Sequence, residues 1–115
     1  MTTNEQMRKG TTTVIILKVL HELDRPVHGY ELIHELEARS QGYFQFKEGL
    51  IYPRLHEMER DGLLRAEWQG DEGSRRRKLY HITERGRRRL ADELAQWQAF
   101  TSRVDALLGL EGSQA

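Results

Sequence analysis

The hydrophobic period of this chain changes twice, and neither an all-helical nor an all-strand fold can absorb both changes. Before Gly62 the apolar residues recur at helical spacing. Leu64, Ala66 and Trp68 then alternate with Arg65, Glu67 and Gln69, the spacing of a strand that buries one face. After Thr83 helical spacing returns and runs to Leu108. Helices must therefore flank a single hairpin, which is an α+β architecture that is mainly α.

Three helices are expected before the hairpin. Thr12 to Leu23 is apolar around most of its circumference, with Thr11 or Thr12 as N-cap. Such a helix is buried on more than one side, and in so short a chain the second side calls for a partner subunit. Asp24-Arg25-Pro26 ends it. Gly29 to Arg39 follows, with Tyr30, Ile33 and Leu36 on one face and Gln41-Gly42 as its stop, so Tyr30 reads as core. Glu48 to Asp61 is the third helix. Ile51, Leu55 and Met58 form its core stripe, Gly49, Pro53, His56 and Arg60 lie opposite, and Tyr52 is on the flank. Pro53 is tolerable only near the helix start, and Gly62 is a C-terminal stop.

The hairpin turns at Gly70-Asp71-Glu72-Gly73-Ser74 and returns along Arg75 to Ile82, with Tyr80 and Ile82 on one face. Thr83 then caps a long helix, Glu84 to Leu108, whose apolar positions are Leu90, Leu94, Trp97, Phe100, Val104, Leu107 and Leu108. They approximate a heptad seam with Thr101 as the defect. A seam this long with little domain left to cover it suggests pairing with a second chain. Folding back over the first helix is the other reading, and both can hold for different parts. Glu111 to Ala115 reads as a frayed tail.

Several function classes are excluded. The 115 residues include no cysteine, so disulfides, thiolate metal sites and thiol nucleophiles are absent. His21, His28, His34, His56 and His81 show no metal-ligand spacing, and no cofactor or metal is expected. Neither Ser40 nor Ser74 lies in a nucleophile motif, and no phosphate-cradling glycine pattern occurs, so the chain is not read as an enzyme. The N-terminus lacks a signal-peptide pattern and Val14 to Leu17 is too short to span a membrane, so a cytoplasmic location with no membrane partner is expected.

The 18 basic and 18 acidic residues cancel, which on its face argues against a nucleic-acid partner. Their distribution argues for one. Between Arg75 and Arg89 eight cations face only Glu84, while the sign reverses after Leu90. A polarised surface of this kind is what a phosphate backbone meets. Three helices, a hairpin and a further helix are also the parts of a winged helix-turn-helix, in which the third helix enters the major groove and the hairpin wing follows the backbone.

The sequence here resembles the PadR family of bacterial transcriptional regulators. The resemblance is carried by His28-Gly29-Tyr30-Glu31-Leu32, Gly49-Leu50-Ile51-Tyr52-Pro53-Arg54-Leu55, Met58-Glu59-Arg60-Asp61-Gly62-Leu63-Leu64, Arg75-Arg76-Arg77-Lys78-Leu79-Tyr80 and Ile82-Thr83-Glu84-Arg85-Gly86. These span about Val14 to Leu94. The family often has a small hydroxyl residue where Leu50 stands, so no contact is assigned there. The resemblance implies a homodimer joined largely through the last helix, binding to an inverted-repeat operator, and repression relieved by an effector. The short last region is similar to the smaller branch of the family.

Residues 1–82 are thus expected to form the DNA-binding winged helix-turn-helix and residues 83–110 the dimerisation helix of the same compact unit. Contacts to double-stranded DNA are expected from Arg75, Arg76, Arg77 and Lys78 on the wing and from Lys47, Tyr52, Pro53, Arg54 and His56 on the third helix. Leu90, Leu94, Trp97, Phe100, Val104, Leu107 and Leu108 are the expected dimer seam. Some family members hold flat aromatic effectors between dimer helices, which marks Trp97 as a candidate contact for a small aromatic effector, although packing alone accounts for it. The rival reading is a winged-helix module for protein–protein assembly, supported by the zero net charge and opposed by four adjacent wing cations.

Overall fold

A computed structural model of the chain describes residues 9–70 and 76–110. The tip of the expected turn, its first cation Arg75 and the expected frayed tail lie outside the described residues. Helix α1 (Lys9–Leu23) is central, burying Ile16, Leu17, Val19 and Leu20 against all three other helices and the sheet. It begins before Thr11 and Thr12, so neither caps it. Thr12 and Thr13 are β-branched residues on a packed helix face, both buried. Asp24 closes α1 in the left-handed region (φ 47°), its N–H donating to the Leu20 carbonyl at 2.9 Å.

Next comes a strand that the sequence pattern does not announce, β1 (Val27–His28). Helix α2 (Gly29–Arg39) buries Gly29, Leu32, Ile33 and Leu36. Tyr30, expected in this stripe, is instead 63% exposed and rests edge-on against His34. Helix α3 (Glu48–Arg60) buries the expected Ile51, Leu55 and Met58. Pro53 lies in its second turn rather than at its start. The proline leaves the Gly49 carbonyl without its helical donor, and both residues are exposed, so water can serve that carbonyl. Gly62 (φ 79°) stops the helix as expected: Leu63 N–H donates to Met58 O at 2.9 Å and Gly62 N–H to Glu59 O at 3.0 Å.

Strands β2 (Leu64–Gln69) and β3 (Arg77–Ile82) form the hairpin, paired from Leu64 opposite Ile82 to Gln69 opposite Arg77. β1 adds to the other edge of β3, giving the antiparallel order β1-β3-β2. The last helix, α4 (Glu84–Leu108), is capped by Thr83, whose hydroxyl accepts from Gly86 N–H at 3.0 Å and donates toward the Gly62 carbonyl at 2.7 Å.

The seam of α4 divides. Leu90 is buried in the subunit's own core and is not free for a partner, a correction to its expected place in the interface. Leu94 packs partly against the same core. Beyond it most side chains of α4 are exposed, and the shape is elongated, 59 × 30 × 22 Å. No helix among the described residues is long and apolar enough to cross a membrane. No cluster among them could hold a metal ion.

Candidate nucleic-acid interface

The core stripe of α3 fixes which of its residues face outward. With Ile51, Leu55 and Met58 buried, Pro53, His56 and Arg60 must project to solvent, and all three are exposed. Lys47, at the N-cap position, is exposed beside them. None of Lys47, His56 and Arg60 has an ion-pair partner among the described residues.

Two expected contacts are engaged within the subunit. Arg54 keeps only 11% of its side chain exposed and is ion-paired with Glu57 one turn on. Tyr52 lies over the start of α2. A Cβ on Gly29 would stand 2.6 Å from Tyr52 Cε1 and 2.9 Å from its hydroxyl oxygen, so any larger residue would push the ring from its place. This packing explains the Gly29-Tyr52 pairing of two separated motifs, which no single-segment reading of the sequence could supply. Burial, then the Glu48 carboxylate one turn away, pushes the Tyr52 phenol up from its usual range, so it stays a neutral donor.

The wing cations do not form one row. Side chains alternate along a strand, so Arg76 and Lys78 take the face of Trp68 while Arg77 takes the other. Lys78 is drawn inward, its ammonium 2.9 Å from Glu59 of α3. Arg76 and Arg77 are exposed, with no ion-pair partner among the described residues. Tyr80 is buried, in keeping with its place beside Ile82.

Farther from the wing tip, the charge run is partly neutralised. Arg87 donates to Asp24 at 2.7 Å and His81 Nε2 lies 3.4 Å from the same carboxylate, with Arg65 on the other ring nitrogen at 3.1 Å. The His81 bond first, then the Arg87 charge, holds the Asp24 carboxyl below its usual range. Arg89 pairs with Glu93. The basic field expected from residues 75–89 is thus a narrower one, in which Arg76 and Arg77 stay exposed on opposite faces of the wing.

Known proteins share this fold. The model of the transcriptional regulator PadR-like family matches residues 16–92. A transcriptional regulator of Mycobacterium tuberculosis is 37% identical over 97 residues, covering 78% of this chain and 87% of that protein. A PadR-like transcription factor structure from Bacteroides fragilis superposes with a TM-score of 0.74 at 29% identity, covering 90% of this chain and 96% of that one. A PadR-like transcriptional regulator from Bacillus cereus gives 0.72 at 31% identity, with the same two coverages.

Proposed function

The chain belongs to the PadR-like family of transcriptional regulators, and from that premise we propose that it is a homodimeric repressor reading an inverted-repeat operator. One observation carries the DNA-contact assignment: the exposed face of α3 and the wing are tied side by side by the Lys78–Glu59 bridge. Together they present Lys47, Arg60, Arg76 and Arg77 with no carboxylate on them among the described residues. Lys47, Arg76 and Arg77 grip phosphates, and Pro53, His56 and Arg60 face the major groove. Tyr52, Arg54 and Lys78 hold those groups in place from inside the subunit.

Dimerisation is supported by the far half of α4. Trp97, Phe100, Leu107 and Leu108 share one helix face, and among the described residues each is at least half exposed. Monomers rarely show so continuous an apolar surface. Beside it, Val14, Ile15, Phe44, Phe46, Leu94 and Trp97 wall an open groove of about 380 Å³ between α1, the loop after α2, and α4. A second copy's α4 would cover both. Two α3 helices related by the dimer axis then match the two halves of an operator, and occupancy of a promoter blocks transcription sterically. The aromatic lip of the groove, where Trp97 lies 6.3 Å from Phe100, would receive a planar aromatic effector. In a Trp68→Phe background such compounds should quench Trp97 emission, and a broad panel that fails to quench removes the effector from the proposal.

The test of DNA binding is a salt series on a labelled duplex taken from genomic fragments that the protein captures. Arg76→Ala with Arg77→Ala removes up to four cations from a symmetric dimer. The slope of log affinity against log salt should become shallower by roughly 2 to 4, at about 0.9 for each phosphate no longer gripped. His56→Ala should instead narrow the gap between operator and random DNA, by about 1–3 kcal/mol if a base edge is read. An unchanged slope in the wing variant would hand the wing to a protein partner.

A further inference from the structure

Near the wing tip, Trp68 on β2 is 58% exposed, a costly place for the largest aromatic side chain. Its surroundings give the exposure a use. The Arg76 guanidinium lies 5.1 Å from the centre of its ring and the Lys78 ammonium 5.7 Å from it. Lys78 is the direct cross-strand partner of Trp68. The same ammonium is 5.5 Å from the Tyr80 ring and 2.9 Å from the Glu59 carboxylate. An unbroken run of contacts, Arg76 to Trp68 to Lys78 to Glu59, therefore leads from the wing to the last turn of α3.

We propose that Trp68 is a positioning residue for DNA binding, its ring holding Arg76 and Lys78 on one face of the wing and locking that face to the register of the recognition helix α3. The proposal rests on the DNA-binding reading above and adds to it the residue that organises the wing. The physical reason is entropic. A free arginine side chain loses rotamer freedom when it grips a phosphate. A guanidinium already lying on a ring has lost part of that freedom before DNA arrives. The stack also transmits position, because Lys78 joins the ring to α3, so wing and groove contacts form as one rigid set.

Two measurements test this. Trp97→Phe leaves Trp68 as the sole tryptophan, and its quenching by iodide and by acrylamide is read in the free protein at fixed ionic strength. Cations on the ring concentrate the anionic quencher, so Arg76→Gln should lower iodide quenching and leave acrylamide quenching unchanged. Equal iodide quenching in both proteins means that the platform does not form, and overturns the proposal whatever DNA does.

The second measurement compares Trp68→Leu with Trp68→Phe on the labelled duplex, with thermal melts as the check on folding. Trp68→Leu should weaken binding about 2- to 5-fold for each wing engaged, the range of an exposed cation–π contact. It should also make the salt slope shallower by up to about 0.9 for each phosphate that Arg76 releases. Trp68→Phe, which keeps a ring face, should restore most of both. Leucine and wild-type proteins with equal affinity and slope would overturn the role of Trp68 while leaving DNA binding itself intact. A wild-type protein with no salt-dependent DNA binding would overturn both readings together.

Discussion

Aspartate at Phe100 and Leu107 together should convert the protein to a monomer and cost it about a hundredfold or more in operator affinity. Both side chains lie in the far half of α4 and are exposed among the described residues, Phe100 62% and Leu107 88%. Their substitution removes nothing from the folded core, which makes them a cleaner choice than Leu94, whose side chain also packs within the subunit. Two carboxylates buried in an apolar dimer seam would be desolvated without partners, a cost of several kcal/mol each. The loss in DNA binding follows from linkage: joining two half-site readers raises affinity by roughly 10²–10⁴ without any new contact. Sedimentation should give the wild type twice 13.5 kDa at micromolar concentration and the variant the single mass. An unchanged melting transition, allowing for its dependence on dimer concentration, would show that the variant subunit still folds. A wild type that sediments as a monomer at high concentration, or a variant that remains a dimer, would refute this role for α4.

Much of the architecture was legible because the signals were local. The change of period at Gly62, the cap at Thr83 and the stop at Gly62 each depend on neighbouring residues, and each appears where expected. Tyr30 shows where such reasoning fails. At about 100° per residue, Gly29, Leu32, Ile33 and Leu36 fall within an arc of about 100°, and Tyr30 lies about 110° from its middle. The arc is centred near Gly29, which has no side chain to announce a buried face. Strand β1 was missed for a related reason: two residues cannot show alternation, and Val27–His28 is a strand only because β3 pairs with it. The site was legible in its outline, since the outward face of α3 follows from the core stripe opposite. Its charge was over-read. Adjacent cations on a strand face alternately, as Arg77 and Lys78 do, and Glu57 and Glu59 on α3 pair with Arg54 and Lys78.

Gly86 is the position where one added methyl group should do most damage to the fold. A Cβ there would lie 2.3 Å from the Leu63 carbonyl oxygen and 2.7 Å from Ile82 Cγ1. The nearer obstacle is backbone, held in the turn after α3 by the Leu63 N–H bond to Met58 and by the Thr83 N–H donating to Leu63 O itself at 3.1 Å. It cannot swing aside as a side-chain tip could. Helix propensity pulls the other way, since alanine is favoured over glycine by about 1 kcal/mol within a helix. The sign of the measured change therefore decides between local preference and tertiary fit. Overpacking costs about 1–3 kcal/mol or more, so Gly86→Ala should lower Tm by roughly 5–15 °C, at several degrees per kcal/mol for a domain of this size. Gly49→Ala is the control. It is also helical, a Cβ there meets nothing within 4 Å, and the substitution should leave Tm unchanged or raise it slightly. Both melts must be made at one protein concentration, because the Tm of any protein that associates with itself depends on it. If Gly86→Ala melts at or above the wild type while Gly49→Ala behaves as stated, α4 does not start against the turn after α3.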